Sequence, residues 1–355
     1  MASQTMKAVI FHGPGHVAVE DRPIPTLQHP TDAIVKVSLT ALCGSELHVY
    51  RGHQKSEPGF IMGHEFTGEV VQVGAEVKSF KLGDQVVAPF TVSCMDCFYC
   101  KNGESSRCEK VLLFGCPLLD GAQAEYVRVP LADGTLFVRP SSLPEEIAVL
   151  MADIFPTGFF AARTAFTSLP PPQQRTSVAV VIGCGPVGLC AIVAALEYSP
   201  AHLFAIDSVP SRLELARGLG AEPLNFAEDM PGLLRRIREV TAGRGADVVM
   251  EVVGLAPALR LAYEVVRPFG AVTSVGVHNA EIPISGAEAY AKNLKLQFGR
   301  CPVRSVFGDA LAVLERRSHL FGFMAEKVMP LTKAVEGYEI FERAGAQKVI
   351  FRAGE

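Results

Sequence analysis

Hydrophobic positions along the chain fall into two regimes. Up to about residue 150 they form short β-branched runs broken by Gly, Pro and Asp, which predicts strands. Met6–Phe11 predicts a strand, Gly13-Pro14-Gly15 a turn and Val17–Glu20 the return. Ala33–Leu39, Gly68–Val73 and Gln85–Ala88 predict three more. This is the pattern of a β-rich domain whose loops carry the unusual residues.

From about Thr176 strands and helices alternate. Ser177–Ile182 is an apolar run, followed by a glycine turn and a helix over Leu189–Tyr198. His202–Asp207 predicts a buried strand, and Ser211–Leu219 a helix ended by Gly220. Asp247–Val253 and Ala271–Val277 predict further strands, with Leu255–Arg267 helical between them. Buried strands alternating with helices imply a parallel sheet covered on both faces. From Asn293 the pattern is strand, helix and a last strand, Lys348–Phe351, while Pro170-Pro171-Pro172 predicts a stiff connector. Val178–Tyr198 is long and apolar enough to suggest a membrane span, but Gly183, Gly185, Pro186 and Gly188 would break it near its middle. No membrane association is expected.

Composition narrows the function classes. A chain of 355 residues favours two domains. A net charge of -4 without a long basic run argues against nucleic-acid binding. Met1–Phe11 lacks the apolar core of an export signal, so the expected compartment is the cytoplasm. Nine cysteines in such a chain point to metal or core use rather than disulfides.

Gly183-Cys184-Gly185-Pro186-Val187-Gly188 fits the G-x-G-x-x-G pattern in the required context, after an apolar strand and opening a helix. The first glycine makes the turn, the second admits the pyrophosphate, and the third lets helix and strand pack closely. The helix N-terminus, with Pro186 and Val187, supplies partial positive charge. Asp207 ends the second strand about twenty residues on, where a carboxylate holds ribose hydroxyls and repels a 2′-phosphate. NAD is therefore favoured over NADP. Arg212 weighs the other way, because a guanidinium could reach a phosphate.

Cys94, Cys97, Cys100 and Cys108 have the spacing C-x2-C-x2-C-x7-C. Four thiolates close a tetrahedral zinc and leave no place for substrate, so this site is expected to be structural. A second set starts at Cys43, in Cys43-Gly44-Ser45-Glu46-Leu47-His48, and continues at Gly63-His64-Glu65-Phe66-Thr67-Gly68. A thiol, an imidazole and a carboxylate are side-chain types that zinc prefers.

Gly63-His64-Glu65, Gly68, Val70, Val73-Gly74, Val77, Gly83-Asp84 and Val86, followed in order by the cysteine loop and the glycine fingerprint, resemble the zinc-dependent alcohol dehydrogenases of the medium-chain dehydrogenase/reductase superfamily. The resemblance covers nearly the whole chain. It implies an α/β protein with a discontinuous GroES-like catalytic domain (1–153 and 298–355) and a Rossmann domain with a doubly wound parallel sheet (154–297). It implies two zinc ions: a structural one on the four cysteines and a catalytic one on Cys43, His64 and Asp153. Glu65 is either a ligand or a neighbour of that catalytic ion. Ser45 and His48 match the family's proton relay, Thr157 lies against the nicotinamide, and Phe90 lines the substrate pocket, with Phe114 near it.

Departures from the family pattern carry expectations of their own. Ser45 replaces the Thr of many relatives and so enlarges the pocket by a methyl group. Asp153 replaces a thiolate and makes zinc a harder Lewis acid, while Glu46 stands where Asp is common. The expected activity is reversible hydride transfer between an alcohol and its aldehyde or ketone, by a homodimer or homotetramer. Two alternatives remain: an NADPH-dependent reductase of a biosynthetic carbonyl or iminium with zinc mainly structural, and a non-enzymatic binding protein on the same fold.

Overall fold

The computed structural model describes residues 4–355, so the expectation drawn from Met1–Phe11 falls partly outside the described residues. The chain divides into two compact units, Met1–Pro156 with Pro302–Glu355, and Thr157–Cys301. The sequence placed these boundaries at 153/154 and 297/298. The strand Lys295–Phe298 pairs within the second unit, so that unit extends past it.

The first unit opens with the antiparallel hairpin β1 (Thr5–Gly13) and β2 (His16–Pro23). Next come β3 (Ala33–Leu42), β4 (Glu65–Val73), β5 (Gln85–Ala88), β6 (Tyr126–Val129) and β7 (Phe137–Val138). The second unit holds β8 (Val178–Ile182), β9 (His202–Asp207), β10 (Glu222–Asn225), β11 (Ala246–Glu251), β12 (Val266–Ser274) and β13 (Lys295–Phe298). The chain then rejoins the first unit through the helix Val303–Arg317, β14 (Val328–Pro330), the helix Ala334–Glu342 and β15 (Val349–Arg352).

In the first unit the sheet order is β14-β15-β3-β4-β5-β7, with β6 also on β3. Inward side chains of the central strands, among them Val35, Val37, Phe66, Val70 and Val86, form one buried cluster. Strand register positions the site. Ala41 pairs with Glu65 across β3 and β4, and Leu42 pairs with Val349 across β3 and β15. Cys43 just past β3, His64 just before β4 and Lys348 just before β15 are thereby gathered at one end of the sheet.

The second unit is a parallel sheet in the order β10-β9-β8-β11-β12-β13. β8 and β11 are neighbours from opposite halves, so the strand order reverses at β8. In doubly wound sheets ligands bind outside the carboxyl ends of the strands at such a point. Every residue of β8 is buried, which explains its unbroken apolar run. The helix Met230–Val240 starts at Asp229, whose side chain accepts from the Gly232 N–H at 2.8 Å.

Several boundaries differ from expectation for local reasons. The first helix of this unit spans Pro186–Ala195 and tightens over Leu196–Tyr198, because proline is preorganised for a first helical position. The next helix likewise begins at a proline, spanning Pro210–Gly218. The proline run expected to form a stiff connector is a single helical turn, Pro171–Gln174. The helix after β11 is Ala256–Val265 and β12 begins at once. Its register shifts between the pairs Ala246–Val266 and Val248–Ala271, across Pro268 and Phe269, the latter at φ 58°. β6, β7, β10, β14 and the helices Ile154–Thr167, Met230–Val240 and Ala334–Glu342 have no counterpart in the sequence reading. Among the described residues no single helix is long and apolar enough to cross a membrane.

Candidate active site

Cys43 caps the helix Gly44–Tyr50 as the chain leaves β3. Its N–H donates to Glu46 Oε2 at 2.8 Å, so Glu46 closes the first helical turn. The other Glu46 oxygen lies 3.4 Å from His64 Nδ1, which turns the far nitrogen of the ring inward. Gly63 makes the approach to His64 possible: it sits at φ +100°, and a Cβ there would lie 2.5 Å from the backbone nitrogen of Gln123.

Asp153 immediately precedes the helix Ile154–Thr167. Its Oδ2 lies 3.4 Å from Cys43 Sγ and 3.3 Å from His64 Nε2. One potential ligand atom from each of Cys43, His64, Glu65 and Asp153 lies within 4.8 Å of the others, and all four residues are buried. A buried thiol, imidazole and carboxylates converging in this way fit a zinc ion better than they fit one another. Burial raises the Cys43 pKa, and the Asp153 charge adds to it. Burial would lower that of His64, but the Glu46 charge and hydrogen bonds from Asp153 and Cys43 outweigh it, and the imidazole is raised well above its usual range.

Ser45 Oγ stands 3.4 Å from His64 Nε2, on the side that faces the cluster. His48 is half-buried, with its ring centroid 6.1 Å from that of His53. Burial lowers its pKa, helped by the charges of His53 and Arg51. The Phe90 ring meets His64 edge-on at 6.0 Å, giving the cluster an apolar neighbour. Phe114 lies beside Phe90, its N–H donating to the Phe90 carbonyl at 3.2 Å, while its ring is fully buried against Phe66 at 5.4 Å, within the sheet core.

Three participants escaped the sequence reading. Lys348 pairs with Glu65 Oε2 at 2.5 Å, with neither side chain exposed. Burial, opposed by Lys348, pushes the Glu65 carboxyl up to about 7. Gln123 donates to Glu46 Oε1 at 3.4 Å and accepts from Tyr338 Oη at 2.8 Å. A lysine opening an otherwise apolar last strand was the available signal for Lys348; Gln123 and Tyr338 left none.

Potential ligand atoms of Cys94, Cys97, Cys100 and Cys108 also lie within 4.8 Å of one another. Backbone N–H groups already point at two of the sulfurs. Cys97 and Asp96 donate to Cys94 Sγ at 3.3 and 3.5 Å, and Cys94 and Lys110 donate to Cys108 Sγ at 3.3 Å each. Such donors would help compensate the negative charge of sulfurs bound to a metal.

In the second unit, Gly183 adopts φ +98°, and a Cβ there would lie 2.5 Å from Val253. A Cβ on Gly185 would meet nothing within 4 Å, so that backbone faces open space where a pyrophosphate can approach. Gly188 is buried, and Pro186 and Val187 open the helix. Asp207 Oδ2 accepts from the Cys184 N–H at 2.7 Å, while Oδ1 accepts from Ser208 and Val209 at 2.7 and 2.9 Å. Arg212 Nη1 lies 3.9 Å from Asp207 Oδ2. Thr157 is buried near the start of its helix. The turn and its carboxylate fit a dinucleotide.

Known proteins resemble this chain over nearly its whole length. Residues 29–138 match the family model for the alcohol dehydrogenase GroES-like domain, and residues 186–316 that for zinc-binding dehydrogenases. A zinc-type alcohol dehydrogenase B from Aspergillus flavus is 61% identical over 350 residues, spanning 99% of this chain and 82% of the relative. A medium chain reductase/dehydrogenase from Acremonium sp is 57% identical over 291 residues, 82% of this chain and all of the relative. The structure of an alcohol dehydrogenase from Thermus sp. ATN1 superposes with a TM-score of 0.89 at 39% identity, covering 98% of this chain and 99% of the other.

Proposed function

The chain belongs to the zinc-type alcohol dehydrogenases of the medium-chain dehydrogenase/reductase superfamily, and from that membership we propose how its own residues divide the work. The reaction is reversible hydride transfer between an alcohol or carbonyl compound and a nicotinamide cofactor. Cys43, His64 and Asp153 hold the catalytic zinc, and Cys94, Cys97, Cys100 and Cys108 hold a structural one. The catalytic zinc, when bound, supplies Lewis acidity toward the substrate oxygen. The observation that carries this reading is the convergence of Cys43, His64, Glu65 and Asp153 within 4.8 Å in a buried cluster.

The remaining steps belong to side chains. Ser45 Oγ, beside His64 Nε2, takes the hydroxyl proton of the alcohol and passes it toward His48. Burial, with the charges of His53 and Arg51, favours the neutral form of His48, the form with a free nitrogen to accept it. Phe90 supplies an apolar wall that keeps water from the reacting carbon. The glycine turn with Pro186 and Val187 receives the pyrophosphate, and Thr157 packs on the nicotinamide. Asp207 favours NAD over NADP, because a carboxylate repels a 2′-phosphate. Its tie to Arg212 supports the same reading by neutralising the guanidinium that a 2′-phosphate would need. The enzyme is read as a cytoplasmic homodimer or homotetramer acting on a small alcohol, aldehyde or ketone.

Metal content and cofactor-coupled oxidation test the assignment together. Two zinc ions per chain are expected, with NAD reduction by primary, secondary, aromatic or polyol alcohols that a chelator abolishes. One zinc per chain, retained on the cysteines, with chelator-insensitive NADPH oxidation would favour the reductase alternative instead.

A further inference from the structure

We propose that Lys348 is a positioning residue that holds Glu65 off the catalytic metal and so keeps one coordination position open. The inference rests on the metal reading of Cys43, His64 and Asp153. Glu65 is the fourth member of that quartet, close enough to bind with the other three. Four protein ligands would close the site as the four cysteines close theirs, and a closed zinc does not take substrate. Something must therefore engage Glu65.

Lys348 is placed to do so. Asp153 touches both Cys43 and His64 at 3.4 and 3.3 Å, whereas the Glu65 carboxylate closes on Lys348 Nζ at 2.5 Å. Neither side chain of that pair is exposed to solvent. A fully buried lysine is rare unless paired, and removing its partner leaves an uncompensated charge. The pairing follows from strand order: β3 lies between β4 and β15, so residues at the starts of β4 and β15 flank Cys43 on either side. Charge balance points the same way. The Cys43 thiolate with Glu46, Glu65 and Asp153 carries more negative charge than a divalent ion neutralises, and Lys348 offsets part of the excess. Without the ammonium, Glu65 has the metal as its nearest remaining cation, and metal coordination becomes its alternative.

Cobalt substitution tests this apart from turnover. In the cobalt-loaded wild-type chain, imidazole should enter the open position and shift the visible absorption bands. In Lys348→Met the cobalt bands should change, and imidazole should bind at least about tenfold more weakly, the scale of effect seen when partners behind metal ligands are altered. Lys348→Arg should restore the wild-type response, as should Lys348→Met combined with Glu65→Gln. Glu65→Gln alone should leave the cobalt spectrum unchanged. That variant and the double variant keep the test open should Lys348→Met fail to fold. An altered spectrum in Glu65→Gln would overturn the proposal by showing Glu65 on the metal already. So would a folded, cobalt-loaded Lys348→Met with an unchanged imidazole response. A wild-type chain that takes cobalt only on its four cysteines would overturn the underlying metal reading, and this inference with it.

Discussion

Glu46 serves His64 and the helix beside it with opposite oxygens: Oε1 stands 3.4 Å from His64 Nδ1, and Oε2 accepts the Cys43 N–H at 2.8 Å. One carboxylate thus orients one proposed ligand and anchors the backbone of another. Gln123 and Tyr338 extend the chain of contacts behind it. Glu46→Gln should keep the helix but weaken the catalytic zinc by about 10–100-fold, the range for partners that orient a metal-bound histidine. Competition against a zinc-binding dye would measure it. Wild-type affinity in the variant would mean that His64 is oriented by packing alone.

Zinc affinity at this site should rise with pH. Binding needs a thiolate at Cys43 and a neutral imidazole at His64. Burial and then the Asp153 charge raise the Cys43 thiol. The His64 imidazole is raised because the Glu46 charge and the hydrogen bonds overcome the effect of burial. Both groups therefore hold protons in the metal-free protein that zinc must displace. Affinity should gain about tenfold per pH unit for each proton released. Titrations between pH 6 and 8 with buffers of differing ionisation enthalpy would count those protons, and a flat profile would refute the assignment.

What could be read from the chain depended on how local each feature is. The glycine turn is six consecutive residues with its strand and helix on either side, so one segment states the whole device. The cysteine lobe is nearly as local. Cys43 and His64 could be linked only through the family pattern, because their approach depends on β3 pairing with β4. Lys348 lies further still along the chain, and the register of β15 on β3 that brings it to Glu65 is written in no local motif. The shift in β12 shows the reverse limit: Val266 and Arg267 continue an apolar helical pattern, yet tertiary pairing makes them strand.

The cysteine lobe should be separable from catalysis. Ser105 and Ser305 exchange backbone-to-hydroxyl hydrogen bonds at 3.3 and 3.2 Å, tying the lobe to the first turn of the helix Val303–Arg317. Cys100→Ser should lose one zinc per chain and retain the other. Amide exchange over residues 94–111 and the start of that helix should quicken by more than about tenfold, equivalent to ~1.4 kcal/mol of local stability. Loss of both metals on this single change would show that the two sites fold as one.

Acid should weaken the second unit in a defined window. Glu288 is pulled down to about 2 by the Ser285 backbone N–H first, then by Arg260 and the Ser285 hydroxyl. A carboxylate whose folded pKa lies below its unfolded value binds fewer protons when folded. Its contribution is complete above about 4.5 and is lost as pH falls through about 2. Glu288→Gln should therefore destabilise the protein at pH 7 and have progressively less effect toward pH 2. Denaturant melts at pH 7, 4 and 3 would show the difference shrinking, and a constant difference would mean that shape rather than charge makes the contribution.

Cofactor preference should turn on Asp207. Its carboxylate accepts three backbone N–H groups around the glycine turn and lies 3.9 Å from Arg212. Asp207→Asn keeps oxygen and shape on the turn while removing the charge that repels a 2′-phosphate and restrains the guanidinium. The ratio of kcat/KM for NADP to that for NAD should rise by about tenfold or more, the equivalent of ~1.4 kcal/mol of differential binding. Arg212→Ala added to that variant should reverse most of the gain, because the freed guanidinium is the group expected to receive the phosphate. An Asp207→Asn enzyme with the wild-type ratio would place cofactor discrimination elsewhere in the second unit.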